Sequence, residues 1–279
     1  SEMSTAGHQA QNTGGYILRS AGLASHCCRP LSLNVSIFQY AMPPIKRTLL
    51  ATTFAVVLAS ATTFAFALPG PTACILVGAA ELHKLSDGSL TDSTSEVDQQ
   101  SYIQLIRDAR TRIEGTFGAI ESKPILVFFS RPEGFGPFSL NAHGSVQFIG
   151  SRACVMIGPK GQSVDVIAHE LMHAEIHHRV GYLKRFLQLP TWFDEGVAMQ
   201  VDYRTRYSLS PQDAQNVDYV RGLTTFSSFF NGDEQAVVRN YASAKQVAAS
   251  WLSKVGTTSL YSRLERMKSG ESFAEIVTE

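Results

Sequence analysis

Hydrophobic and polar positions divide the chain into unlike parts. The longest apolar run, Thr48 to Leu68 (TLLATTFAVVLASATTFAFAL), is uncharged and lacks Gly and Pro. No polar face interrupts it, which argues against a core helix and for an export signal or a membrane span. Residues 69–95 open with Pro69-Gly70-Pro71 and end in the polar stretch SDGSLTDSTS, the pattern of a linker with one short helix. From Glu96 the pattern is that of a folded domain. EVDQQSYIQLIRDARTRIEGTFG sets Tyr102, Ile103, Leu105, Ile106, Ala109 and Ile113 on one helical stripe, with Gly115 or Gly118 as its stop. Pro124 to Phe129 predicts a strand, followed by a loop with Pro132, Gly134, Gly136 and Pro137. Two more strands are predicted at Ser145–Ile149 and Ala153–Ile157. A helix is then predicted from Ser163 to Gly181, with Ser163 as N-cap, Asp165 at the positive end of the helix dipole and Gly181 as the stop. Thr191 and Asp194 read as a T-x-x-D capping box opening a further helix. Helices over Asp233–Lys254 and Ser259–Met267, and one opened by the capping box Ser272/Glu275, close the core.

Composition narrows the class. Of 279 residues, 44% are hydrophobic and 17% charged, with 24 Lys and Arg against 24 Asp and Glu. A disordered or nucleic-acid-wrapping protein would lack the apolar content or carry a charge excess. The balance is uneven along the chain: residues 1–47 hold Arg19, Arg29, Lys46 and Arg47 against one acid, Glu2, so residues 48–279 are mildly acidic. No basic stripe for nucleic acid is present. Met42 begins MPPIKR, an ordinary basic start for a signal sequence, and residues 1–41 then form an upstream extension to which no fold is assigned. Ala65-Phe66-Ala67 or Ala59-Ser60-Ala61 supplies the small residues of a cleavage site, while the same run is long enough to remain as an anchor. In either case the basic flank leaves residues 69–279 outside, periplasmic or secreted, with membrane contact through residues 48–68 if they are uncleaved. The resulting plan is a leader at 1–47, the apolar segment at 48–68, a linker at 69–95 and one domain at 96–279. The four cysteines are too few for a disulfide scaffold. Cys74 and Cys154 are open to two readings, a pair formed in an oxidising compartment or buried free thiols.

Chemistry concentrates in the helix after Ser163. At about 100° per residue, His169 and His173 lie one turn apart on one face, and Glu170 turns toward the adjoining face. Two neutral imidazoles so placed suit Zn²⁺, and a carboxylate outside the ligand set can take a proton from a zinc-activated water. A third ligand is needed. Glu195, 22 residues after His173 in Leu189-Pro-Thr-Trp-Phe-Asp-Glu-Gly-Val-Ala198, is a carboxylate among Trp192, Phe193, Val197 and Ala198, a setting that asks for a cation. Gly196 beside it allows another backbone to approach closely.

HELMH at 169–173 followed by WFDEGVA at 192–198 resembles the gluzincin clan of zinc metallopeptidases, in particular the compact peptidase-MA-like domains of exported bacterial proteins. The likeness runs from about residue 98 to the end. It includes a weaker C-terminal pattern: Tyr241-Ala-Ser-Ala, Trp251-Leu, Gly256 and Met267-Lys-Ser-Gly-Glu-Ser-Phe273. The resemblance implies an α+β zincin-like fold, a small mixed sheet packed on the HExxH helix and followed by helices. It also implies one Zn²⁺ per chain held by His169, His173 and Glu195, with Glu170 as general base. In such enzymes the strand before the helix pairs with an extended peptide substrate, a place that Ala153–Ile157 matches.

The departures from that family matter as well. No G-x-M-E-N stretch precedes the helix, which disfavours the aminopeptidases of the clan and favours an endopeptidase acting on peptide or protein substrates. Met199 stands where thermolysin-like members carry an Asp, so another acid must orient the histidines, with Asp202 and Asp165 as the options. A metzincin would need a third histidine at position 179, which is Arg. His177 lies about 12 Å along the helix from His169, too far to share its ion, and is expected to pack or support. His178 is expected on the surface, as is His143 in its loop. For an oxyanion donor Tyr241 ranks ahead of Tyr203 and Tyr219. Substrate selection is expected to lie in a strand edge and in loops such as Ser130–Asn141 and Arg204–Ser210. The reading from a different class is a non-catalytic exported protein that keeps the zincin scaffold for partner binding.

Overall fold

The computed structural model describes residues 69–131, 142–210 and 213–278, all within the compact unit Thr53–Glu279. Residues 1–68, and with them the leader and the apolar segment, lie outside the described residues, as does most of the Ser130–Asn141 loop. Among the described residues no helix is long and apolar enough to cross a membrane.

The chain opens with helix α1 (Pro69–Leu76), strands β1 (His83–Lys84) and β2 (Leu90–Thr91), and helix α2 (Glu96–Phe117). Strands β3 (Ile125–Phe128), β4 (Gly144–Ile149) and β5 (Arg152–Ile157) follow, and everything after them is helical. The α-helices among them are α3 (Val164–Val180), α4 (Tyr182–Gln188), α5 (Thr191–Ala198), α6 (Phe226–Phe229), α7 (Glu234–Val255), α8 (Leu260–Lys268) and α9 (Phe273–Thr278). The fold is α+β, with a mixed sheet of order β1-β2-β3-β5-β4 in which β2, β3 and β5 are parallel and β4 returns antiparallel beside β5. Residues Gly150-Ser151 make the β4–β5 turn, and Gly150 takes φ 55°, a conformation glycine adopts without strain.

Alternation along the strands distributes the core to both sheet faces. Leu126, Phe128, Ala153, Val155 and Ile157 face the main cluster shared with α2, α3, α5, α7 and α8. Val127, Phe129, Cys154 and Met156 face the other way, onto Ala73, Cys74 and Val77. The segment read as a linker, 69–95, is therefore built into the domain: α1 covers the second face and β1 and β2 extend the sheet. Cys74 and Cys154 are disulfide-bonded, with Cα atoms 5.9 Å apart, which settles the two readings of that pair.

The sheet order corrects one expectation. Ala153–Ile157 belongs to β5, hydrogen-bonded on one side to β3 and on the other to β4, so no edge of it is free for a substrate. The edge strand next to α3 is β4.

Helix α3 lies at the centre. Ser163 caps it by accepting from Val166 N, Gly181 (φ 83°) ends it, and almost every residue between is buried. Arg179, near its end, hydrogen-bonds Glu175, the Ala119 carbonyl and Glu265, and so ties α3 to α8 and to the loop before β3. Helix α4 lies at the surface and shows Leu183, Phe186 and Leu187 largely to solvent. Helix α5 packs on α7 across Gly196, where an added Cβ would stand 2.4 Å from the Ala244 carbonyl oxygen, so the close backbone approach expected at that glycine is present.

Candidate metal centre

The spacing of α3 turns His169 and His173 the same way, and α5 brings Glu195 against them. The three side chains form a buried triangle: His169 Nε2 and His173 Nε2 are 3.1 Å apart, and each is 3.3 Å from Glu195 Oε2. Tetrahedral zinc with ligand bonds of about 2.0–2.1 Å spaces its donor atoms about 3.3 Å apart. The observed edges therefore match one face of a zinc tetrahedron. Glu195 Oε2 is buried and makes no hydrogen bond, a costly position for a carboxylate oxygen unless a cation takes it. The donor set, two imidazoles and a carboxylate, suits zinc chemistry, and no other described group of His, Cys, Asp and Glu converges in this way.

Two carboxylates stand behind the histidines. Asp194 Oδ1 is 3.1 Å from His173 Nδ1, and Asp202 Oδ2 is 3.7 Å from His169 Nδ1. Each lies on the side of the ring nitrogen that points away from the triangle, the side from which an acid orients a ligand histidine, although neither ring nitrogen closes a hydrogen bond in this structure. Asp202 was one of the expected options. Asp165, the other, is engaged elsewhere, accepting from Arg112 and from Tyr203 N.

Asp194 corrects the reading of this segment, because Thr191 and Asp194 do not form a capping box. The residue at the N-cap is Pro190, which has no side-chain donor or acceptor, and the Thr191 hydroxyl donates to the Thr224 carbonyl. Asp194 is buried and turned toward His173. The local T-x-x-D signal concealed a tertiary role, and a buried acid next to the proposed ligand was the cue to it.

Glu170 is buried beside the triangle. Burial raises its carboxyl above the ordinary carboxylate range, while His169 and His173 pull the other way. Glu195 is the opposite case: burial disfavours its charge, but the two histidines outweigh that and hold it down at about 2. His173 is raised well above its ordinary value, since Asp194 and Glu195 together outweigh its burial.

Of the three tyrosines, only Tyr241 is near the triangle, its ring 6.0 Å from that of His169 and edge-on to it. Burial first, then the charges of Glu195 and Glu170, keep its phenol protonated to well above the usual pH. Tyr203 is exposed, stacking under Arg112, and Tyr219 bonds Asn240. His177 supports and does not ligate: its Nε2 is 2.9 Å from the Gly150 carbonyl oxygen, and its ring stacks on Phe148. His178 is on the surface, as expected. His143, in the turn before β4, is partly buried.

Comparison with protein-family models, with curated proteins and with solved structures finds no match for this chain. The functional reading therefore stands on its residues and their geometry.

Proposed function

We propose that this protein is an exported zinc metallopeptidase of gluzincin type with a zincin-like fold, acting on internal peptide bonds. One observation carries the reading: the buried triangle of His169, His173 and Glu195, with edges of 3.1, 3.3 and 3.3 Å and an acceptor oxygen that makes no hydrogen bond. Zinc, when bound there, supplies Lewis-acid polarisation of a carbonyl and a lowered pKa for water.

The remaining work falls to the chain's own side chains. Glu170, adjoining the triangle and raised by burial above the ordinary carboxylate range, takes the proton of the attacking water and returns it to the leaving amine. Tyr241, kept neutral, donates to the oxygen on which negative charge develops. The outer edge of β4 has no strand partner among the described residues, and its first residue, Gly144, abuts Glu170. That edge, and not β5, is suited to hold an extended peptide by main-chain hydrogen bonds. The Cys74–Cys154 bridge supports an oxidising location outside the cytoplasm.

The test joins metal analysis with turnover. The purified full chain should carry one zinc per molecule and cleave an unfolded protein substrate, with activity lost to a chelator and restored by Zn²⁺. Zinc bound without cleavage of any of a broad set of substrates would favour the scaffold alternative. No zinc at saturating Zn²⁺ would remove the metal site itself.

A further inference from the structure

We propose that Arg185 and Arg204 are positioning residues of the metal site, each clamping the carboxylate that faces one ligand histidine. The inference rests on the metal-site reading above and extends it one layer outward. On α4, Arg185 donates from Nη1 to Asp194 Oδ1 (2.9 Å) and from Nη2 to Asp194 Oδ2 (2.5 Å). In the segment after α5, Arg204 donates from Nε to Asp202 Oδ1 (2.9 Å) and from Nη2 to Asp202 Oδ2 (2.5 Å), and its backbone N–H adds a bond to Oδ1 (3.0 Å). The same order of groups, arginine to aspartate to histidine, thus occurs twice and converges on the triangle from two elements.

The arrangement has a physical reason. A histidine ligates through Nε2 only if its ring is held at the correct angle and Nδ1 keeps its proton. A buried acid behind the ring can do this, provided the acid is itself fixed. An unclamped carboxylate rotates, or draws the ring proton to itself. Two guanidinium N–H bonds fix the carboxylate plane and take up part of its charge.

Both arginines are themselves held. Arg185 lies over the Phe148 ring at 4.3 Å, and Arg204 lies over the Tyr207 ring at 4.9 Å. The Asp202 main chain is fixed in addition by Lys245, whose Nζ donates to its carbonyl at 2.6 Å.

Competition between the full chain and a chromogenic chelator for Zn²⁺ tests the proposal, with circular dichroism as the control for folding. A clamp needs the planar fork and not the charge alone, so Arg185→Lys is expected to weaken zinc binding about tenfold, the lower end of what support around a ligand contributes. Arg204→Lys should act in the same direction. Because Arg185 works through Asp194, Arg185→Lys should add nothing in an Asp194→Asn background. If Arg185→Lys does not fold, the pair Arg185→Gln with Asp194→Asn takes its place and should match Asp194→Asn alone. Folded lysine variants with wild-type affinity would overturn the proposal, and so would effects of Arg185 and Asp194 that simply add. A wild type that binds no divalent cation would overturn the metal reading along with this one.

Discussion

Gly144, the first residue of the edge strand, lies against the Glu170 side chain. A Cβ at residue 144 would stand 3.1 Å from the glutamate's Cγ and Oε1, and 2.8 Å from Val166 Cγ1. The strand proposed to hold substrate thus abuts the residue proposed to move the proton, and a methyl group at 144 would crowd both Glu170 and Val166. Gly144→Ala should push Glu170 aside by a few tenths of an ångström and lower turnover about tenfold, since small misplacements of a reacting group are expensive. Zinc content should not change. Steady-state kinetics beside metal analysis would show the split, and unchanged kinetics would remove Gly144 from the site.

Glu170→Gln keeps the shape and burial of the side chain and removes its ability to take a proton. Zinc binding and fold should survive while turnover falls by about 10²–10⁴, the usual contribution of a positioned general base. Cleavage at the wild-type rate would show the mechanism to be wrong.

Glu195→Ala removes one corner of the triangle and leaves two histidines, too few for a stable zinc site. The variant should lose most of its zinc affinity. The rise in melting temperature that excess Zn²⁺ gives the wild type, corresponding to about 2.7 kcal/mol at a hundredfold excess over Kd, should vanish with it. Differential scanning calorimetry with and without Zn²⁺ measures both.

Burial beneath Phe148 pushes the His177 imidazole down to about 4, the Gly150 carbonyl opposing in part. The unfolded chain binds that proton near pH 6.5, so between pH 6.5 and 4 the unfolded state holds more protons. His177 therefore takes stability away as pH falls through this window and has no further effect above it. His177→Gln, which can still donate to Gly150, should flatten that part of the stability profile. Urea unfolding of both proteins at several pH values, in the presence of a chelator, tests this, and parallel profiles would refute it.

Much of the site was legible because its signals are local. The spacing of His169 and His173 and the caps Ser163 and Gly181 lie within one helix, and Glu195 stood out as an acid among Trp192, Phe193 and Val197. Asp194 was misread because T-x-x-D is also a local signal, and what turns this aspartate inward is His173 and Arg185, on other helices. Nothing in Tyr182–Gln188 marks Arg185 off from Lys184 beside it. Sheet order is likewise non-local, although β5 carried a usable hint: Ala153 to Ile157 is apolar at every position, the mark of a strand covered on both faces and paired on both edges. The strands β1 and β2 are too short, at two residues each, to leave any alternation in the polar stretch read as a linker.

The Cys74–Cys154 bridge joins the start of the described chain to β5, an interior strand of the sheet, across a separation of 80 residues. Tension applied to the chain ahead of α1 therefore does not travel through β1, β2 and α2. It passes across two sulfur atoms into β5, one strand away from Gly144. In the oxidised protein, pulling from that end should extend only what precedes Cys74, whereas in the reduced protein α1 should peel off the sheet first. If residues 48–68 remain in a membrane, this bridge is the mooring by which the site is carried.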